Sequence, residues 1–153
     1  MNASPTIHAS AVLVGARAVL IQGPSGSGKS RLALALIQAQ ASGLVPFARL
    51  VADDRTHAEA RHGRLLVRPA DALAGLVEVR GLGIRKLQFE PVAVAGLVVE
   101  LGQSGLDRLP APTEHTVIAG ITLPTLRIPP ETDALPALLA YWQTAAADHF
   151  AVR

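Results

Sequence analysis

The sequence predicts an α/β fold, a P-loop-containing mixed sheet with flanking helices, and three observations carry that prediction. Half of the 153 residues are hydrophobic but only 3% are aromatic, so the core has to be built from Val, Leu, Ile and Ala. That composition suits buried strands with helices laid on them. An apolar stretch, Ala18-Val19-Leu20-Ile21, runs into a glycine-rich loop, and Arg31-Leu32-Ala33-Leu34-Ala35-Leu36-Ile37 follows as a helix. Further apolar segments, punctuated by Gly and Pro, recur along the chain with no internal repeat and no linker, so a single domain over residues 1–153 is expected.

The loop itself, Gly23-Pro24-Ser25-Gly26-Ser27-Gly28-Lys29-Ser30, fits G-x-x-x-x-G-K-[ST]. Its glycines let successive backbone N–H groups turn inward around phosphates, and the helix that follows adds the partial positive charge of its N-terminus. Lys29 is placed to reach the β- and γ-phosphates and the Ser30 hydroxyl to ligate Mg²⁺. The plain alternative is a glycine-rich turn that only starts a helix, but all fixed positions and both flanks agree with the motif. Binding of a nucleoside triphosphate is therefore expected, with these eight residues as its nucleotide-binding set.

Charge and composition exclude other classes. The formal charge is only +2, and no run of Lys/Arg with interleaved aromatics marks a nucleic-acid surface. There is no cysteine, hence no disulfide and no thiolate metal site. The first ten residues lack a basic region followed by an apolar one, and apolar runs are broken well short of membrane-spanning length. A soluble cytoplasmic protein is expected, where ATP and Mg²⁺ are at hand.

In chain order, residues 7–14 predict a strand joined through Gly15-Ala16-Arg17 to the strand before the loop, which sets His8 one strand back from the phosphates. A lone His at a strand start is more often a surface or structural residue. The helix should stop near Ala41-Ser42-Gly43. A strand over residues 47–52 then ends in Asp53-Asp54, and ligands of open α/β sheets bind beyond such ends. The two acids suit Mg²⁺ or proton abstraction, and their alternation along the backbone gives them different surroundings. Residues 56–61, His62-Gly63 and residues 64–68 read as a hairpin closed by Pro69, with His57 and His62 exposed and without a third zinc ligand. Glu78 and Arg80, two apart beside glycines, would share one face of a strand near a ligand, or form an exposed ion pair at a turn. Residues 91–101 predict a central strand interrupted by Gly96, and residues 104–112 a Gly/Pro loop whose Arg108 is either solvated or a stabiliser of phosphoryl charge. Two short strands are expected at 115–118 and 121–123, irregular chain at 124–130, and a last helix from about Asp133 with an apolar stripe of Leu135, Leu138, Leu139 and Trp142.

Taken together, four segments in order resemble the catalytic domain of HPr kinase/phosphorylase: Ile7-His8, the loop, Leu50-Val51-Ala52-Asp53-Asp54-Arg55, and Val77-Glu78-Val79-Arg80-Gly81-Leu82-Gly83-Ile84. The last is similar to that family's signature block, and Asp107-Arg108-Leu109 adds a fifth match. The resemblance implies a P-loop fold related to phosphoenolpyruvate carboxykinase, and an ATP- and Mg²⁺-dependent kinase acting on a serine of the phosphocarrier protein HPr. By position it implies catalytic roles for His8, Lys29, Asp53, Asp54, Arg80 and Arg108. Ser30 and Glu78 become the Mg²⁺ ligands, Asp54 the acceptor of the serine proton, and Asp53 a support for metal or nucleotide. It further implies a homo-oligomer, hexameric in the family, and a short single-domain form without the regulatory domain. The family's Pro-Val-Arg-Pro-Gly-Arg-like loop, linked to dephosphorylation by inorganic phosphate, is poorly kept at residues 123–130. Kinase activity is therefore the stronger inheritance. A small-molecule kinase and a non-catalytic nucleotide-sensing module are the alternatives.

Overall fold

The computed structural model describes residues 5–105 and 114–144. Eleven strands and two α-helices form in it: β1 Thr6–Ile7, β2 Ala9–Val14, β3 Arg17–Gln22, α1 Lys29–Ala41, β4 Ala48–Ala52, β5 Thr56–Arg61, β6 Arg64–Pro69, β7 Leu76–Val79, β8 Gly83–Lys86, β9 Ala93–Glu100, β10 His115–Ile118, β11 Ile121–Arg127 and α2 Ala134–Gln143. Nine strands make one mixed sheet with the path β1-β5-β6-β9-β3-β2-β4, to which β11 adds beside β9 and β10 beside β11; β7 and β8 form a separate hairpin. No helix among the described residues is long and apolar enough to cross a membrane.

The sheet has to curl. Only His8 separates β1 from β2, yet β1 pairs with β5 at one end of the path and β2 pairs with β3 and β4 at the other. The two ends therefore meet at His8, and Thr56 pins the closure by donating its Oγ1 hydrogen to Ala9 O at 2.8 Å.

Strand alternation sorts the buried residues into two cores. Val12, Val19, Ile21, Leu97 and Val99 face Leu32, Ala33 and Leu36 of α1 and Leu138 of α2. Ala11, Leu20 and Val98 face the other way, against Ala58, Leu65 and Val67 of the curled β5–β6 hairpin. The flanking helices of the sequence reading thus lie together on one face among the described residues, because the sheet covers its own second face. Of the apolar stripe on α2, Leu138 is wholly buried whereas Trp142 remains partly exposed.

Local chemistry explains several elements. His62 (φ 51°) and Gly63 (φ 76°) form the two-residue turn of the β5–β6 hairpin, both with the positive φ that the primed turns need. His57 is half-buried, not exposed as its sequence suggests. Gly96 falls where the β3–β9 register shifts, between the pairs Ala18–Ala95 and Val19–Leu97. It is the extra residue of a bulge, which resets the alternation so that Ala95 and Val98 share a face. A Cβ there would stand 2.8 Å from Arg17 Cβ, so glycine lets the strands meet. One expectation fails outright: residues 124–127 are not irregular, because β11 runs through Pro124 to pair in parallel with β9 at Thr125, Leu126 and Arg127.

Candidate functional site

Strand direction gathers the site at one edge. β2 is antiparallel to both β3 and β4, so its start lies beside their ends: Ala9 pairs with Gln22 and Ala11 with Ala52. His8, the glycine-rich loop and Asp53-Asp54 therefore share that edge. The β7–β8 hairpin is brought to it by the chain that follows, in which Phe89 bridges to Leu50, Glu90 N–H donates to Leu50 O at 2.8 Å, and Glu90 pairs with Arg49 at 3.2 Å.

Asp53 is the buried hub. Its Oδ1 accepts from Ser10 Oγ at 2.7 Å and from Ser30 Oγ at 2.8 Å, and its Oδ2 lies 2.9 Å from the same Ser30 hydroxyl and accepts from the Glu78 backbone N–H at 3.3 Å. One carboxylate thus ties together β2, α1, β4 and β7. Ser10 Oγ also accepts from Asp54 N–H at 3.2 Å. Sequence reasoning missed Ser10. Its signal was a lone hydroxyl in the otherwise apolar strand Ala9–Val14, a buried polar group that has to find a partner.

Asp54 differs from its neighbour in every respect. It is exposed, its φ is 68°, and the Arg55 N–H closes back onto Asp53 O at 2.8 Å, so Asp54 forms the apex of a tight three-residue turn. Such left-handed geometry costs a non-glycine residue roughly 1–2 kcal/mol. Its Oδ1 lies 2.6 Å from His8 Nε2, and because an ionised carboxylate only accepts, Nε2 carries the proton. The pair is about half exposed (48% and 59%), and ion pairs of that kind stabilise a fold by less than about 1 kcal/mol. Stability explains neither the strained turn nor the pair, and such features cluster at functional sites.

The loop is built around a cation. Lys29 is buried, and its Nζ donates to Gly23 O at 2.9 Å and Pro24 O at 3.1 Å, with no ion pair among the described residues. Gly28 caps α1 in a left-handed conformation (φ 99°), and no side chain caps the first turn. Its leading N–H groups are thus unclaimed by side chains. Ser27 Oγ is buried without a partner. A buried ammonium facing only carbonyl dipoles, open amides and a lone hydroxyl together make a receptor for an anion.

Glu78 keeps its side chain exposed at the hairpin, supported through its backbone on Asp53. Arg80 does not share a strand face with it: β7 ends at Val79, so Arg80 lies in the turn, exposed, and the two form no ion pair with each other. The turn closes with Leu82 N–H on Val79 O at 2.9 Å, which carries Arg80 off the strand before the alternation reaches it. Arg108 lies outside the described residues. Among those residues no three His, Asp or Glu side chains cluster closely enough to hold a metal by themselves.

The chain has known relatives. The model of the HPr Serine kinase C-terminal domain matches residues 1–148. The chain belongs to that family. Among its relatives, an HPr kinase/phosphorylase of Streptococcus thermophilus is 34% identical over 141 residues, covering 83% of this chain and 43% of the relative. One from Streptococcus equinus is 36% identical over 126 residues, covering 74% of this chain and 38% of the relative. The chain therefore spans less than half the length of these curated relatives. The solved structure of the Hpr(Ser) kinase/phosphatase from Coxiella burnetii superposes with a TM-score of 0.72 at 26% identity, over 89% of this chain and 91% of that one. The mixed α/β fold with its curled sheet and few helices is thus the fold of an HPr kinase.

Proposed function

We propose that this chain carries out ATP- and Mg²⁺-dependent phosphorylation of a serine on the phosphocarrier protein HPr. The observation that carries the reading is the meeting, at one sheet edge, of an anion receptor built on Lys29 with the strained, exposed Asp54 held by His8. Relatives named HPr kinase/phosphorylase supply the acceptor. In this reading residues 23–30 are a P-loop, in a fold akin to phosphoenolpyruvate carboxykinase, and residues 1–153 form one cytoplasmic domain that assembles with copies of itself.

The residues fit the groups they would hold. Lys29, the uncapped first turn of α1 and Ser27 Oγ suit a triphosphate. Ser30 donates its one hydrogen to Asp53, which leaves its lone pairs directed away from the carboxylate, and Glu78, whose backbone N–H rests on the same Asp53, carries an exposed carboxylate. Two hard oxygen donors completed by phosphate oxygens suit Mg²⁺, which seldom takes an all-protein cage. Bound there, Mg²⁺ would offset the charge of the terminal phosphates.

The chemistry of the chain's own groups follows. The incoming serine oxygen attacks the γ-phosphorus in line, the bond from that phosphorus to the β–γ bridging oxygen breaks, and its electron pair leaves with ADP. The serine proton passes to Asp54, whose Oδ2 is left open while His8 holds Oδ1. Asp53 does not touch the reacting atoms in this scheme; it orients Ser30 and the Glu78 backbone. Lys29 stays on the phosphates throughout, and Arg80 and Arg108 are proposed to add charge as the acceptor closes. Dephosphorylation, named for the relatives, would run the same positions in the opposite direction.

Labelled ATP incubated with HPr tests the reading. Asp54→Asn is expected to lower phosphoryl transfer by about 10²–10⁴-fold, the usual worth of a general base, while ATP binding changes little. Undiminished transfer would take Asp54 out of the role, and turnover with a metabolite in place of HPr would make the chain a small-molecule kinase.

A further inference from the structure

A second cation stands beside Lys29 at the positive end of α1. Arg31 lies in the first turn, three residues after the cap Gly28, where a positive charge adds to that of the open amides and is unfavourable by itself. Helix side chains lean back toward the N-terminus and onto the residue three before, and here that residue is a glycine. The guanidinium accordingly folds over the loop: a Cβ on Gly28 would meet its Nη2 at 3.5 Å and its Nε at 3.7 Å. Arg31 is exposed and makes no hydrogen bond or ion pair among the described residues. It lines a cavity of about 570 Å³ that Glu131 and Asp133 also border, yet neither acid pairs with it. An arginine whose task was to neutralise those acids would reach across to them rather than lie along Gly28.

We propose that Arg31 holds the α-phosphate and so selects a donor with three linked phosphates; the inference rests on reading residues 23–30 as the phosphate site. Direction decides which phosphate it meets. Residues 29 and 31 stand about 200° apart around a helix, so their side chains approach the loop from different sides. Lys29 turns inward to Gly23 O and Pro24 O. Arg31 faces the cavity past the ends of β9 and β11, whereas Asp53-Asp54 lie past β4, on the other side of β3. In the proposed transfer the γ end meets Asp54. The phosphate chain therefore runs away from the acids across Gly28, and its α end arrives under Arg31. The planar fork of a guanidinium suits two oxygens of one phosphate. A cation that is unfavourable in the empty protein becomes favourable once a polyanion binds, the trade of stability for activity expected of a functional residue.

Titration calorimetry in Mg²⁺ with three probes, ATP, inorganic tripolyphosphate and pyrophosphate, tests the assignment. Arg31→Gln is expected to weaken ATP and tripolyphosphate about tenfold each, the worth of one hydrogen bond to a charged group, and to leave pyrophosphate within about twofold. Arg31→Lys, which keeps the charge but not the fork, should recover part of that loss. Without ligand, Arg31→Gln should melt at the wild-type temperature or about a degree above it, because removing the cation relieves the start of α1. Unchanged affinity for ATP and tripolyphosphate would overturn the assignment. So would an equal loss of all three probes or a marked fall in the ligand-free melting temperature, either of which makes Arg31 a support of the loop. ATP weakened with tripolyphosphate unchanged would overturn it too, by moving Arg31 to the nucleoside. In each of these cases the phosphate site stands. Wild-type protein that binds none of the three probes would overturn the phosphate site itself.

Discussion

The glycine-rich loop and the β7–β8 hairpin both carry residues that the sequence assigns to the site, yet the protein holds them in opposite ways. The loop is packed between strand, helix and β9: Lys29 is buried, and a Cβ on Gly23 would stand 2.5 Å from Ser27 Oγ and 3.0 Å from Leu101 O. The hairpin pairs only with itself, all four residues of β8 are exposed, and Leu82 and Ile84 are exposed apolar side chains. Val77 is its buried anchor, and the Glu78 N–H its link to Asp53. A group that grips a small, invariant ligand can be preorganised before the ligand arrives. A group that has to meet a protein acceptor gains from staying uncovered. Under the proposed function, the difference between the two regions is the difference between those tasks.

Two glycines put this contrast to its strongest test. Gly23 (φ 156°) and Gly81 (φ 87°) both have positive φ, but among the described residues nothing lies within 4 Å of a Cβ on Gly81. Gly23→Ala is expected to force the loop open and weaken ATP binding by about tenfold or more, the scale of an overpacked site. Gly81→Ala should cost only its backbone strain, about 1–2 kcal/mol, and leave ATP affinity unchanged. Calorimetry on both variants decides, and a Gly81→Ala protein that loses ATP would show that the hairpin's turn, and not Glu78 alone, belongs to the nucleotide site.

Sequence showed the loop and hid much of what surrounds it, for a physical reason. β3, the loop and α1 are contiguous, and so are the two strands around His62-Gly63, so local turn and helix chemistry announces them. The end of β4 at Asp53-Asp54 was readable because an apolar run stops at two charges. The His8–Asp54 contact joins residues 46 apart and follows from the long-range pairing of β2 with β4, which no local pattern encodes. β11 past Pro124 was hidden likewise: its partner there is β9, far back in the chain, and the proline argued against a strand until that pairing was known. Arg80 misled for the opposite reason, since period-2 spacing was extended one residue beyond the strand's end. The roles of these side chains came from family resemblance, and geometry now says which of them stand together.

Ser10 gives an intermediate effect and sharpens the contrast from the buried side. Its hydroxyl is fully buried, donates to Asp53 and accepts from Asp54 N–H. Ser10→Ala leaves that N–H without its acceptor and removes one of the donors to Asp53, which should cost about 1–3 kcal/mol in urea melts. Because the same bond sets the Asp54 turn, phosphoryl transfer should fall while ATP affinity stays close to wild type. Loss of stability with normal transfer would reduce Ser10 to a structural role.

The smallest expected change lies at the hairpin tip. Leu82 is 66% exposed, so Leu82→Ser removes little buried surface and should alter stability by no more than about 0.5 kcal/mol. ATP binding should not respond either, because Leu82 closes the turn that follows β7 with its side chain in solvent. Under the proposed function, what remains for an exposed leucine at the tip of the hairpin that Glu78 N–H ties to Asp53 is the acceptor, so KM for HPr should rise severalfold with ATP affinity constant. A stability loss above about 1 kcal/mol would mean that the tip is covered when the protein is folded, as by another copy of the chain. An unchanged KM would move the acceptor's approach away from β7–β8 and towards the exposed His8–Asp54 side of the edge.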